Sequence, residues 1–198
     1  MTRGVVLRGL ALAAILLGAL AAVAGSPRAN GSNLDVAALA RDVETEQDHV
    51  TALELARWIR DRKSGLRVID IRDSAAFEEY HIPQAERMPI ESVVKASFNP
   101  AETIVMYSGG GAHAAQAWVL LRARGVRQVF FLRGGVAEWL DEVMNPRIPA
   151  NLSPENRSDA DSAAALSRYF GGIPRQVDSA VPVEAFKATA TRVRGRGC

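Results

Sequence analysis

The sequence predicts an α/β domain in which a central parallel β-sheet is flanked by helices on both faces. Two apolar runs, residues 66–71 and 104–107, have the length and composition of buried strands, and helical patterns separate them. Strand and helix alternate in this way from residue 49 to residue 144, which is typical of parallel sheets with helical crossovers. Ligands of such sheets bind at the carboxyl ends of the strands.

The first helix of this domain is predicted to begin after Thr51. Thr51 and Glu54 have the spacing of a capping box, in which the two residues satisfy each other's backbone N–H groups. Ser64-Gly65 is expected to end the helix. The apolar face between these limits predicts packing against the sheet; it consists of Leu53, Leu55, Ala56, Trp58 and Ile59.

The next segment predicts a buried strand at residues 66–71, with Asp70 and Arg72 at its carboxyl end. A short helix, capped by Asp73 or Ser74, is expected to follow. We expect Asp70 and Arg72 to make structural salt bridges and hydrogen bonds around a neighbouring loop. The alternative is that Arg72 contacts a substrate directly.

Residues 103–113 predict a strand, a glycine turn and the beginning of a helix. Such a turn directs backbone N–H groups at one point, with the positive end of the helix dipole behind them. The loop is therefore a candidate anion-binding site, formed by Ser108, Gly109, Gly110, Gly111, Ala112 and His113.

The remaining elements of the domain are short. The helix that follows the glycine loop is predicted to face the core with Ala117, Trp118, Leu120 and Leu121. The other predicted elements are a strand at 86–89, a helix at 91–96, a strand at 129–132, a turn at Gly134-Gly135 and a helix at 136–143.

The N-terminal residues are typical of an export signal. Arg3 and Arg8 precede an uncharged apolar run at 9–24, which ends in the small residues Ala22-Val23-Ala24. This pattern predicts a cleaved signal peptide and a location in the periplasm or outside the cell. The alternative is a membrane anchor formed by residues 9–24.

The chain is predicted to have four parts. Only the extension at the C-terminus is expected to dock loosely or not at all, because its helical patterns at 163–170 and 184–194 are short and its tail is basic. The parts are a signal peptide at 1–24, a linker at 25–46, the α/β domain at 47–145 and the C-terminal extension at 146–198.

Charge and cysteine content restrict the function. Arg3 and Arg8 account for the excess of basic residues, 24 against 22 acidic ones, so the remaining chain is near neutral and nucleic-acid binding is not expected. Cys198 is the only cysteine, so the chain has no internal disulfide. Its thiol is interpreted as an exposed tail group, with a sulfur carrier or an intermolecular disulfide as the alternatives.

Four motifs occur in a fixed order, namely V-I-D-I-R, F-E-E-Y-H-I-P-Q-A, I-V-M-Y-S-G-G-G-A-H and V-F-F-L-R-G-G-V-A-E-W. Together, over residues 47–145, they resemble the rhodanese-like (sulfurtransferase) domain family. In active members a cysteine after the fourth strand takes a sulfane sulfur from a donor such as thiosulfate and passes it on from a persulfide. Their loop, Cys-x-x-x-x-Arg, surrounds the sulfur with backbone N–H groups, and its arginine helps to hold the anionic substrate.

This resemblance places the family's cysteine on Ser108 and its loop arginine on His113. A serine oxygen cannot carry a sulfane sulfur as a persulfide does, and it lacks the nucleophilic thiolate. Histidine lacks the permanent, bidentate charge of arginine. Tyr80 and Gln84 also stand where the family often has glycines. The resemblance therefore implies a domain without sulfurtransferase activity.

The sequence allows more than one role for Ser108 and for the histidines. Ser108 is interpreted as the relic of a lost cysteine, and otherwise as a hydroxyl that contacts an anion. A hydrolase nucleophile is disfavoured because no base with an orienting carboxylate is evident. His113 is expected to cap the helix or face solvent, and His81 to order a turn.

The predicted function is an anion-binding or protein-interaction module, with a small oxyanion, a sulfur-containing anion or a protein as its partner. The alternative is a thiosulfate or persulfide sulfurtransferase that uses a thiol from Cys198 or from a partner protein. A scaffold protein without a ligand is the third class. No cofactor is predicted, nor a metal site, because His49 and His81 are not spaced as a local cluster. Membrane contact is expected only if the N-terminal segment is retained.

Overall fold

A computed structural model provides the structure of the protein and describes residues 11, 13–20 and 35–178, except for the side chain of Glu155. The chain divides into two compact units, Met1–Leu34 and Asp35–Cys198. Within the first unit, residues 13–20 are helical and exposed. In the parts of the chain that the structure describes, no helix has the length and apolar character needed to cross a membrane. Most of the predicted signal peptide and the 184–194 pattern lie outside these residues.

The second unit is built around a five-stranded sheet in which all strands run parallel, as predicted. The strand order is β1-β5-β4-β2-β3, so β4 lies in the centre. Asp70, the last residue of β2, lies opposite Tyr107, the last residue of β4. The strands are β1 (His49–Val50), β2 (Leu66–Asp70), β3 (Ala85–Arg87), β4 (Thr103–Tyr107) and β5 (Val129–Leu132).

Helices cover both faces of this sheet, which confirms the predicted fold class. Successive residues of β4 show the division: Val105 and Tyr107 belong to one buried apolar cluster, and Ile104 and Met106 belong to another. The helices are α1 (Val36–Glu44), α2 (Ala52–Arg60), α3 (Ser74–Glu79), α4 (Ile90–Val93), α5 (Ala112–Ala123) and α6 (Gly135–Trp139), which continues as a π-helix (Leu140–Met144).

Local side-chain caps begin α2 and α3. The capping box predicted at Thr51 and Glu54 is confirmed in both directions, so it starts α2. At α3 the cap is Asp73, whose carboxylate accepts a hydrogen bond from the N–H of Ala76.

The face of α5 differs from the prediction at one residue. Ala114, Ala117, Trp118 and Leu121 are buried, as helical spacing requires. Leu120, which was expected to face the core, is 47% exposed. Its position lies one residue outside the i, i+3, i+4, i+7 stripe that contacts the sheet.

The predicted linker contains helix α1, which begins at its cap Asp35. Asp42 of this helix forms an ion pair with Arg122 of α5, with 2.6 Å between the charged atoms. Residues 25–34 lie outside the described part of the chain, so the limits of the linker stay a prediction.

The expectation of a loosely docked C-terminal extension is wrong for residues 146–178. Helix α7 (Pro154–Tyr169) begins well before the predicted 163–170 segment, and Leu166 is buried in the same apolar cluster as Trp139 and Val143. The Phe170 ring contacts Trp139 at 5.2 Å between ring centroids. Two short strands, β6 (Arg147–Pro149) and β7 (Arg175–Val177), pair in parallel on either side of this helix in the sequence.

Candidate functional site

The candidate site lies at the carboxyl end of the central strand β4. Ser108 follows Tyr107 directly, and the three glycines lead into α5. Because parallel strands end at the same edge of the sheet, Asp70 and Tyr107 are brought side by side there. The six residues 108–113, called the glycine loop below, form the rim of this edge.

Ser108 holds the glycine loop through its side chain. The residue is only 3% exposed, and its hydroxyl oxygen accepts a hydrogen bond from the N–H of Gly111 at 3.1 Å. Gly111 has a φ of +89°, a conformation that glycine adopts without strain, and it directly precedes α5. The hydroxyl therefore acts as a local tie across the turn.

Two carbonyl groups of the glycine loop point at the beginning of α6. The Ser108 carbonyl accepts a hydrogen bond from the N–H of Val136 at 2.9 Å, and the Gly109 carbonyl accepts one from Ala137 at 3.1 Å. In a trans peptide the C=O and N–H groups point in opposite directions. The N–H groups of Gly109 and Gly110 consequently point away from α6, towards the mouth of the loop.

The mouth of the glycine loop is open. Gly109 and Gly110 are exposed, and no heavy atom lies within 4 Å of a Cβ built on either residue. Among the described residues, no acceptor is bonded to the N–H groups of Gly109, Gly110, Ala112 or His113. With the N-terminus of α5 behind them, these donors suit an anion.

Gly135 allows the glycine loop to approach α6 so closely. A Cβ at this residue would lie 2.7 Å from the nitrogen of Gly111 and 2.8 Å from the carbonyl oxygen of Gly109. Gly135 also has a φ of +59°. Sequence analysis assigned Gly134-Gly135 only to a turn; the close approach of two backbones was not evident from the pattern.

His113 lies on the first turn of α5 and is exposed, as expected for a solvent-facing residue. His81 lies after α3, where its ring stacks on Phe77 with 4.2 Å between centroids and its Nδ1 contacts the Phe77 carbonyl at 3.0 Å. Across the residues that the structure describes, no group of three acidic, histidine or cysteine side chains is arranged to hold a metal ion.

Asp70 and Arg72 form the ion pair that the sequence predicted. The carboxylate of Asp70 is fully buried and accepts hydrogen bonds from Nε and Nη2 of Arg72, the latter at 2.7 Å. Arg72 Nη2 also donates to the carbonyl of Tyr80 at 2.6 Å. The hydrogen bond to Asp70 raises the pKa of Arg72, so the guanidinium stays charged. These contacts support a structural role, because they orient the guanidinium towards the protein.

Tyr107 completes the floor of the site and was not predicted as a polar residue. Its ring is fully buried, and its phenolic oxygen accepts a hydrogen bond from the N–H of Ile82 at 3.1 Å. Burial raises the pKa of this phenol, which stays neutral. The Arg72 guanidinium lies 5.6 Å from the ring centre. The sequence contained one signal for this hydrogen bond, a tyrosine at the end of a buried strand, because a buried hydroxyl needs a partner.

Two cavities in the described part of the chain lie away from the glycine loop. One of about 390 Å³ contacts His49, Trp58 and Trp118, and one of about 550 Å³ contacts Phe98 and Arg124. Both are also lined by Gln128, which precedes β5, so they lie at the amino ends of the strands.

Comparison with known proteins identifies the domain. Residues 51–142 match the family model of the rhodanese-like domain. Thiosulfate sulfurtransferase from Gallus gallus is 27% identical over 183 residues, covering 73% of this chain and 62% of the relative's length. Thiosulfate sulfurtransferase GlpE from Pseudomonas syringae is 28% identical over 82 residues, covering 39% of this chain and 76% of the relative.

A solved structure has a similar sequence. The rhodanese-like domain of the Anabaena protein Alr3790 is 30% identical, with 46% of this chain and 72% of that chain covered and a TM-score of 0.43. The order of the four motifs, the parallel sheet and the matched residues agree. Residues 51–142 of this chain are therefore a rhodanese-like domain.

Proposed function

We propose that the protein is a rhodanese-like module that binds a small oxyanion or sulfur-containing anion at the glycine loop and lacks sulfurtransferase activity. One observation carries the proposal. The carbonyls of Ser108 and Gly109 bond to the N-terminus of α6, and this arrangement turns the opposite N–H groups outward into an open mouth. These donors are positioned before any ligand arrives, so little ordering opposes binding.

The lack of sulfur transfer is proposed from chemistry at the same loop. Ser108 is the residue at the end of β4, where the family's cysteine is expected, and the rhodanese-like domain contains no cysteine. The Ser108 hydroxyl already accepts a bond from Gly111, and an oxygen cannot hold sulfur as a persulfide does. The loop would thus retain the donors of a sulfurtransferase without its nucleophile.

A thiosulfate:cyanide assay tests this proposal on three purified proteins: the wild type, Ser108→Cys, and Ser108→Cys with His113→Arg. We expect no thiocyanate from the wild type and activity from the double variant, because it restores both the thiol and the permanent charge. Ser97→Cys is the matched control, since Ser97 is exposed in a different loop. Wild-type turnover at a rate comparable to that of an active sulfurtransferase would contradict the proposal.

Anion binding is tested separately by thermal denaturation with thiosulfate, sulfite, sulfate and phosphate. A ligand that binds only the folded state stabilises it by an amount that grows with the logarithm of the ligand concentration once that concentration exceeds Kd, and Tm rises accordingly. We expect at least one of these anions to raise Tm of the wild type and to have no effect when Gly109 and Gly110 are both replaced by proline, which removes two N–H donors. No shift with any anion would favour the scaffold alternative.

The names of the curated relatives favour a second candidate, a sulfurtransferase that uses the thiol of Cys198 or of a partner protein. Cys198 lies outside the residues that the structure describes. If the wild type is active, Cys198→Ser distinguishes the sources of the thiol, because activity that survives this change must use another one.

We also propose that residues 1–24 direct export, on the basis of the charged start and apolar run described above. N-terminal sequencing of the protein recovered from the periplasm or medium of its host is the test. A mature chain that begins at Gly25 would support cleavage, and an intact N-terminus in a membrane fraction would support the anchor alternative.

A further inference from the structure

Three charged residues surround the turn that supports the glycine loop. Arg133 precedes Gly134-Gly135, Glu138 lies in α6, and Glu142 lies in the π-helix that continues it. Arg133 donates from Nε and Nη2 to the same oxygen of Glu138, at 3.0 and 2.7 Å. The ion pair therefore closes the turn from one side.

This group is incompletely satisfied. Within the described ranges, Arg133 Nη1 and Glu142 Oε2 are buried side-chain atoms without a hydrogen-bond partner. Buried polar atoms of native proteins nearly always have a hydrogen-bond partner. It is therefore unusual that a guanidinium nitrogen and a carboxylate oxygen of the same cluster both lack one. Arg133 is thus bonded to one carboxylate and attracted by a second, which it does not contact in this arrangement.

Burial is also the main reason why the pKa of Glu142 is raised to about 7, and the neighbouring Glu138 carboxylate adds to the effect. Arg133 opposes the rise and Asp141, on the same π-helix, contributes to it. Glu46 is a further acidic group that acts on Arg133. Helices α2 and α7 pack against the π-helix with apolar residues of the shared core, such as Ile59 and Leu166, and add no charge to those acting on Glu142.

The same short segment contacts the glycine loop. Gly134 nitrogen lies 3.1 Å from a Cβ built on Gly111, and Val136 and Ala137 donate to the loop carbonyls. A Cβ on Gly134 would lie only 2.5 Å from the Cβ of Glu138, so the Glu138 side chain covers the other side of the turn. The charged cluster and the glycine loop are therefore connected through the single turn at Gly134-Gly135.

From this cluster we infer that Arg133, Glu138 and Glu142 form a proton-responsive clamp that sets the anion affinity of the glycine loop. The inference rests on the proposed function. When Glu142 is protonated, Arg133 bonds to Glu138 alone, and this ion pair holds the turn at Gly134-Gly135 closed. Loss of the proton adds a negative charge near Arg133 and Glu138 and gives Arg133 a second carboxylate to bond, which loosens the turn that holds the loop. Both effects weaken binding of an anion as pH rises through the midpoint of Glu142.

Sulfate is a suitable probe because its charge is constant between pH 6 and pH 8. Imidazoles titrate in that range, so the experiment compares two full-length proteins with the same histidines, the wild type and Glu142→Gln, by isothermal titration calorimetry. We expect the Kd of the first protein to rise about fivefold from pH 6 to pH 8, which is at the low end of typical coupling between sites. The second protein is expected to show no such rise.

A carboxyl 13C NMR titration of the wild-type protein follows Glu142 itself, in a chain that keeps this residue. Because linkage is reciprocal, saturating sulfate should move the titration midpoint of Glu142 upward by about 1 pH unit, the shift that corresponds to a fivefold change in Kd between pH 6 and pH 8. Sulfate binding with the same pH dependence in both proteins, or an unmoved midpoint, would overturn the clamp and leave the anion site intact. Absence of sulfate binding to the wild type would overturn the proposed function, and the clamp with it.

Discussion

Ser108 contributes a hydrogen bond that is buried inside the glycine loop. Its hydroxyl oxygen is the acceptor for Gly111, and the residue exposes 3% of its surface. A hydroxyl there maintains the loop even if it never touches a ligand. The sequence located this residue from the abrupt end of an apolar run, but its bond depends on the backbone conformation of Gly111, which a pattern of residues does not specify.

Replacement of Ser108 by alanine is expected to lower the free energy of unfolding by about 1–3 kcal/mol, because the N–H of Gly111 would lose its acceptor in a buried place. Urea denaturation followed by circular dichroism measures the change. Ser97→Ala, at an exposed residue, should leave the midpoint unchanged. Equal stability of Ser108→Ala and wild type would show that the loop N–H finds another partner.

Gly135 is the residue whose side chain the fold cannot accommodate. Gly135→Ala should abolish the anion-induced rise in Tm and lower stability by more than the roughly 1–2 kcal/mol that a left-handed conformation costs, since its Cβ would meet loop backbone atoms at 2.7–2.8 Å. Gly125→Ala is the control: its φ is +86° but no atom lies within 4 Å of its Cβ. Equal effects of the two changes would exclude the steric explanation.

At the scale of elements, the strands and helices of the domain were largely predictable because their signals are local. The capping box at Thr51 and the apolar strand before Ser108 were both recovered from neighbouring residues. Strand β1 was not, since two residues carry no periodicity. Leu120 was wrongly predicted to face the core, because helical spacing alone allows a wider apolar face than the one that the sheet covers. The charged cluster around Arg133 was missed because it joins a loop, α6 and the π-helix.

Helix α7 belongs to the folded unit through its apolar face. Leu166→Ala is expected to destabilise the protein by about 2–5 kcal/mol, since the side chain is 2% exposed in the core cluster. Leu120→Ala, which removes the same atoms from an exposed position, should change stability by less than about 0.5 kcal/mol. Chemical denaturation of both variants measures the difference, and similar values would mean that α7 is not docked.

At the scale of the whole molecule, the dependence of stability on pH follows from Glu142. Burial raises the pKa of this carboxyl to about 7, above its value in the unfolded chain near 4.5. The folded state therefore binds the proton more tightly between these values, and stability falls as pH rises from about 4.5 to about 7. The loss amounts to at most about 3 kcal/mol.

Denaturation midpoints of wild type and Glu142→Gln from pH 4 to pH 8 test this dependence. We expect the wild type to lose stability relative to the variant over that interval, because the amide does not ionise. Glu79→Gln is a control, as Glu79 is exposed at the end of α3. Parallel curves for wild type and Glu142→Gln would contradict the assignment of the titrating group.

The position of α7 has a consequence for the order in which the protein acquires its core during synthesis. Trp139 and Val143 leave the ribosome before Leu166 and Phe170, which pack in the same core region. Until those later residues emerge, the apolar surfaces of α2 and the π-helix that α7 covers are open to water or to other chains. Completion of the fold thus waits for a segment beyond the family's own boundary at residue 142, and the nascent chain stays susceptible to proteases and chaperones until that segment arrives.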